Sequence, residues 1–241
     1  MKLLIDIGNT HTHVALATPK RLRKISQFPS NSIHSLVDFI GATPIDQVAI
    51  CSVAPKMEKL VVRQLRGCTP VPHFLDYQNC GISINYPDPK SIGPDRLANA
   101  RGGRDIYGTP LVVVDFGTAV TFDIVNQDGA YQGGVIAPGL SAMTDYLHEK
   151  TALLPPIEIK TPKRAIGRST EEAMQIGAVQ GYAGLIERII LGIKKELKVR
   201  QIKVIATGGC AHIMSRHCQG IRHVRPGLTL DGLRLASNDW S

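Results

Sequence analysis

An α/β architecture assembled from a duplicated domain is what the sequence predicts, on two observations. A short glycine-centred loop occurs twice, as Asp6-Ile7-Gly8-Asn9-Thr10 and as Asp115-Phe116-Gly117-Thr118-Ala119, 109 positions apart. Each copy follows an apolar, strand-like run, Leu3-Leu4-Ile5 or Leu111-Val112-Val113-Val114, and each is followed by a hydroxyl at the same offset, Thr12 or Thr121. One such loop means little, since Asp and Gly favour any tight turn; two in the same context point to an internal repeat. The second observation is the alternation of strand, turn and helix patterns along the chain, which lays helices on the faces of sheets.

In order, Leu3 to Ile5 reads as a buried strand, and Thr12 to Ala17 with Lys20 to Phe28 as an antiparallel continuation of it. A helix is expected near Ser32 to Ile40, with Ser30 or Asn31 as its cap. Val48 to Val53 reads as a buried parallel strand, and Pro55 opens a helix to about Arg66. Asn79 to Arg96, rich in Pro, Gly and Asn, reads as a loop that runs into a helix from about Leu97 to Tyr107. The second half repeats the opening: Leu111 to Val114, the loop, Thr121 to Val125, a turn at Gln127-Asp128-Gly129, and Tyr131 onward. A long helix over Ser169 to about Leu197, a buried strand Lys203 to Ala206 ending in Thr207-Gly208-Gly209, and a helix from Ala211 complete the reading.

With 241 residues, 43% of them hydrophobic, the chain has enough apolar material for one large core or two smaller ones. The net charge of +8 keeps polyanions among the conceivable partners. However, the basic residues are scattered, and aromatics at 5% supply no stacking platform, so no specific nucleic-acid partner is expected. Five cysteines without a C-x-x-C pair indicate neither a zinc site nor a disulfide framework. No uninterrupted apolar run approaches the length of a membrane span, and the expectation is a cytoplasmic protein.

The two loops point to phosphate chemistry. Glycine lets backbone N–H groups approach an anion where a Cβ would block them, and Asn9, Thr10 and Thr118 add side-chain donors. Asp6 and Asp115 repel phosphate but can hold a cation against it; each can equally cap its own turn through an Asx bond. Asp95, at a loop-to-helix junction beside Arg96, fits two readings. One is a helix cap; the other is a base that takes a proton from a substrate hydroxyl while Arg96 grips a substrate carboxylate.

In order along the chain, Asp6 to Thr10, Gly93-Pro94-Asp95-Arg96, Asp115 to Ala119, Gly133-Gly134 with Pro138-Gly139, Gly167 with Thr170, and Thr207-Gly208-Gly209 resemble the motif set of type III pantothenate kinases. These belong to the acetate and sugar kinase, Hsp70 and actin superfamily, and the resemblance runs from Met1 to about Leu235. It implies duplicated ribonuclease-H-like (actin-like ATPase) domains, here 1–108 with the first phosphate loop and 109–241 with the second loop and the adenosine motif, and an active site in the cleft between them. It also implies transfer of the ATP γ-phosphate to pantothenate, giving 4′-phosphopantothenate, the first step of coenzyme A synthesis.

By the same resemblance, Asp95 is the general base. Asp6, Gly8, Asn9 and Thr10, with Gly117, Thr118, Ala119 and Thr121 of the second loop and Gly208 and Gly209, bind the nucleotide. Tyr86, Gly93, Arg96 and Thr170 surround pantothenate. Asp6 and Asp115 attend a divalent cation such as Mg2+, and Asp123 is a candidate ligand for a monovalent one, K+ or NH4+, unless it is a solvated strand residue. Homodimers are expected. Two features depart from the family pattern: Pro29 to His34 replaces a customary acidic segment, and His11 and His13 flank Thr12, where surface or strand positions without a role are the expectation. The chain ends soon after Leu235, which predicts a brief final helix. Rival readings are a kinase of the same superfamily acting on another hydroxy acid or sugar, and a non-catalytic regulatory relative.

Overall fold

The first apolar run folds as a strand covered on both faces. In the computed structural model, which describes residues 1–31 and 36–240, β1 (Lys2–Ile7) buries Leu3, Leu4, Ile5 and Ile7. Consecutive apolar residues suit a central strand with helices on either side. β1 pairs antiparallel with β2 (His11–Ala17), which pairs with β3 (Leu22–Pro29), and parallel with β4 (Gln47–Ser52), which pairs with the short β5 (His73–Phe74). The sheet order is β3-β2-β1-β4-β5.

One face of this sheet, carrying Leu3, Ile5, Ile7, Val14, Leu16, Val48 and Ile50, packs on α1 (Leu36–Ile40) and α2 (Pro55–Leu65) through Leu36, Phe39, Ile40, Val61 and Leu65. The expected helix from Ser32 is described from Leu36; residues 32–35 lie outside the described residues. On the other face, alternate residues are small (Ala15, Ala17, Ala49, Cys51), and α3 (Pro94–Tyr107) and the last helix contact these strands. The expected loop over 79–96 thus ends earlier than its composition suggested, because Pro94 occupies the first helical position, where its missing N–H costs nothing.

The second sheet repeats the first strand for strand. β6 (Leu111–Phe116) pairs antiparallel with β7 (Ala119–Val125) and parallel with β9 (Lys203–Thr207); with β8 (Tyr131–Pro138) and β10 (His223–Val224) the order is β10-β9-β6-β7-β8. Its core joins Val112, Val114, Phe116, Phe122, Val204 and Ala206 to Leu140 of α4 (Leu140–Lys150), to Tyr182, Ile186 and Ile190 of α5 (Thr170–Glu196), and to Met214 of α6 (Ala211–Met214). α5 is capped by Ser169, whose side chain accepts the Glu172 N–H, while the Glu172 carboxylate accepts the Arg168 N–H. By length and composition alone α5 would be long and apolar enough to cross a membrane. Its apolar stripe is spent on the core just described.

The chain divides into two compact units, one comprising Met1–Gly108, Gly129–Gln132 and Gly227–Ser241, the other Thr109–Asp128 and Gly133–Pro226. The final helix, α7 (Leu228–Ser237), is neither brief nor part of the second unit: it runs for ten residues, nearly all buried. It returns to the first unit because glycines allow it to touch α3. A Cβ on Gly232 would collide with the Ala98 backbone, and one on Gly102 would stand 2.9 Å from the Leu228 carbonyl. Thr229 Oγ1 donates to Asn99 Oδ1 at 2.8 Å, and Lys2 Nζ reaches the Ser237 carbonyl at 2.8 Å.

Candidate active site

The first glycine loop closes between β1 and β2 with the Gly8 N–H donating to the His11 carbonyl at 3.0 Å. A Cβ on Gly8 would stand 2.8 Å from that oxygen, so only glycine fits. Asn9 and Thr10 lie at the exposed tip. Ser30 anchors the loop from below: its hydroxyl donates to the Gly8 carbonyl at 2.7 Å and lies 3.1 Å from Thr12 Oγ1, and its N–H donates to the Thr10 carbonyl at 2.9 Å. Ser30 therefore has a role in the loop; the helix-cap reading of Ser30 or Asn31 concerns residues 32–35, which lie outside the described residues.

The second loop is one residue tighter. Ile7 faces Thr12 across the first hairpin, whereas Phe116 faces Val120 across the second, with the Gly117 N–H donating to the Ala119 carbonyl at 3.1 Å. Because side chains alternate along a strand, that single residue places the two equal-offset hydroxyls on opposite faces. Thr12 is buried on the α1–α2 side, while Thr121 stands directly opposite Asp115. The true counterpart of Thr121 is His13, which faces Asp6, its Nδ1 3.7 Å from Asp6 Oδ2. His13, expected to have no role, thus sits beside a candidate cation-side carboxylate. On the other flank of each Asp the parallel neighbour is also equivalent: Cys51 beside Asp6 and Thr207 beside Asp115. Cys51 is fully buried and hydrogen-bonds the Asp6 carboxylate; burial, then the charges of Asp6 and Asp95, push its thiol well up, which keeps it a protonated donor.

Asp95 lies in the first turn of α3, near enough to Asp6 to feel its charge, and is not the N-cap; that position belongs to Gly93, which offers no side-chain cap. The Asp95 carboxylate folds back to accept the Arg96 N–H at 2.9 Å and passes so near Gly93 that a Cβ there would stand 2.5 Å from Oδ1. Burial, followed by the negative charge of Asp6, raises the Asp95 pKa above the ordinary carboxylate value, against the opposing pull of the Arg96 N–H and guanidinium.

Around it gather the other first-unit residues. The Arg96 guanidinium stands 5.9 Å from the centre of the Tyr131 ring, and half-exposed Tyr86 meets the same ring edge-on at 6.5 Å. Tyr131 was not among the expected site residues; the only sequence signal was its place after the Asp128-Gly129 turn, at the start of a strand.

In the second unit, Gly117, Thr118 and Ala119 are exposed. Gly139 supports them: its N–H donates to the Thr118 carbonyl at 3.0 Å, and a Cβ would strike the carbonyls of both Gly117 and Thr118. Tyr182 holds this turn by donating to the Pro138 carbonyl at 2.8 Å, and burial raises the pKa of its phenol. Gly208, at φ +86°, sits against Asp115, where a Cβ would stand 2.5 Å from Oδ1; Gly209 borders open space. Asp123 is fully buried, which removes the solvated-strand reading, and Thr121 Oγ1 donates to its Oδ2 at 3.4 Å. Thr170 is the exposed first residue of α5.

Taken unit by unit, each loop's donors suit phosphate oxygens. Glycines at 8 and 208 are forced by close approach or positive φ, whereas a Cβ at Gly117 would meet only ordinary contacts; the loop tips are exposed, and each loop has one carboxylate at its root. Among the described residues no group of three or more His, Cys, Asp or Glu forms a metal cage.

A family model described as type III pantothenate kinase matches residues 2–191. The chain is 46% identical to a type III pantothenate kinase of Akkermansia muciniphila, over 98% of this chain and 97% of the relative. It is 38% identical to one of Desulfosudis oleivorans, over 98% of each. Among solved structures it is similar to a Baf family protein of Campylobacter jejuni, with a TM-score of 0.67 at 19% identity over 98% of each chain. It is also similar to the activator of the 2-hydroxyisocaproyl-CoA dehydratase from Clostridium difficile, with a TM-score of 0.53 at 13% identity over 98% of this chain and 92% of that one. These likenesses extend over nearly the whole chain and carry the duplicated, actin-like ATPase fold that the two matching sheets display.

Proposed function

The chain belongs to the type III pantothenate kinase family, and from that premise we propose that it phosphorylates the primary hydroxyl of pantothenate with ATP, giving 4′-phosphopantothenate for coenzyme A synthesis, with Asp95 as the general base. The observation that carries the assignment of the base is the position of Asp95. It is a partly buried carboxylate beside Asp6, held by the Arg96 N–H at the start of α3, with its pKa raised. A carboxylate so raised takes a proton from an alcohol more readily than an ordinary one.

Phosphoryl transfer asks chiefly for positioning and charge stabilisation. The exposed backbone of Gly8 to Thr10 and of Gly117 to Ala119 would supply phosphate donors, with Thr121 behind the second loop and Gly208 and Gly209 on the adenosine side. Asp6 and Asp115 would hold the water shell of a divalent cation, which, when bound, neutralises charge on the phosphates. Buried Asp123 would hold K+ or NH4+. Tyr86, Gly93, Arg96 and Thr170 would contact pantothenate, with Arg96 meeting its carboxylate.

The homodimer expected of the family has a candidate surface in the apolar groove between α4 and α5, a cavity of about 690 Å³ lined by Met143, Tyr146, Leu147, Ala173 and Gly177 among others. The deciding experiment is an assay of purified protein with pantothenate and Mg-ATP, with and without potassium. Formation of 4′-phosphopantothenate, faster with potassium, is expected; no product with any nucleotide or monovalent salt would overturn the reading.

A further inference from the structure

Tyr131 is fully buried although it lies at the beginning of a strand, and three contacts of different kinds converge on it. Its N–H donates to the Ser83 carbonyl and its carbonyl accepts the Asn85 N–H, both at 2.8 Å, so the segment before Tyr86 is pinned to it as a short parallel bridge at Ile84. Its ring takes the edge of Tyr86 at 6.5 Å. The Arg96 guanidinium stands over the ring at 5.9 Å. One side chain thus touches two residues expected at the acceptor, from two separate stretches of sequence, while Asp95 adjoins Arg96 in the same helical turn.

From this convergence we propose that Tyr131 is the positioning residue of the acceptor site: its ring holds the Arg96 guanidinium in place to receive a carboxylate, and so sets the preference for an anionic acceptor over a neutral one. The proposal rests on the reading of Arg96 given above. A guanidinium on an aromatic face keeps its N–H edge available for a carboxylate while its plane is held, and such a contact strengthens as water is excluded. Arginine is long and rotamer-rich, so an unsupported guanidinium would have to be ordered at substrate binding, at a cost in affinity. Asp95 gains its hold from backbone and needs no such support. Loss of the ring therefore weakens acceptor binding without removing the base.

The test compares pantothenate with panthenol, in which the carboxylate is reduced to an alcohol, for wild type, Tyr131→Phe and Tyr131→Leu. Wild type is expected to favour pantothenate. In Tyr131→Leu the pantothenate KM should rise about 2- to 30-fold, the range of a cation–π contact, with panthenol and ATP values and kcat little changed, so that discrimination narrows. Tyr131→Phe should behave as wild type. Should Tyr131→Leu fail to fold, fluorinated phenylalanines at 131 keep the shape and weaken the ring face stepwise, and the pantothenate KM should climb with fluorine number. A wild type that phosphorylates neither compound refutes the kinase reading itself. One that uses both equally refutes the role of Arg96 and the proposal with it. Intact discrimination in folded Tyr131→Leu or across the fluorinated series overturns the proposal alone, as does a loss shared equally by pantothenate and ATP.

Discussion

Asp95 combines two opposed demands in one carboxylate: its proximity to Asp6 suits a base but burdens the fold. In protein free of metal and nucleotide, its raised pKa means that the folded state binds this proton more tightly than the unfolded one. The group's contribution to stability is therefore greatest at low pH and is lost as pH rises through the folded value. Asp95→Asn should lower turnover by about 10²- to 10⁴-fold while leaving ATP affinity intact. It should also raise the melting temperature of the metal-free protein at neutral pH, an advantage that shrinks towards pH 4 in calorimetry across pH. Gly208 carries the opposite lesson. Gly208→Ala must occupy φ +86° and displace the Asp115 carboxylate and Phe116 backbone. ATP affinity in a direct titration should fall about 5- to 30-fold, the equivalent of the ~1–2 kcal/mol that a left-handed non-glycine residue costs.

Loops and strands act through how they are tied. Ser30 fixes the first loop with one hydroxyl shared between Gly8 and Thr12. Ser30→Ala should cost about 1–3 kcal/mol, read as a lower denaturant midpoint, together with weaker nucleotide binding. This is also where the sequence stopped being legible. Strand identities followed from apolar runs such as Val112 to Val114, because covered strands need no alternation. The pairing register did not follow, since it depends on turn length, and a loop shorter by one residue turned Thr121 toward Asp115 while Thr12 faced the core. His13 and Cys51 were invisible as neighbours of Asp6 for the same reason: they are adjacent only across the sheet. The helix start at Pro94 was masked by the turn-like composition before it, and Tyr131 by its distance in sequence from Arg96.

For the whole molecule, the family assignment and the duplicated fold were visible in motif order, whereas the path of the chain was not. The apolar α4–α5 surface belongs to this scale. Met143→Glu should shift the sedimentation of the proposed dimer toward a monomer, since a charge in such an interface is left desolvated and unpaired. The net charge of +8 predicts only salt-sensitive, sequence-independent association with DNA, abolished in a titration with moderate salt. The return of α7 to the first unit has a consequence for synthesis. As the chain leaves the ribosome, residues 109–226 emerge while the first unit still lacks the helix that covers α3. The half encoded second can then mature first, with the N-terminal half held open, and exposed to chaperones or proteases, until Gly227–Ser241 has been translated.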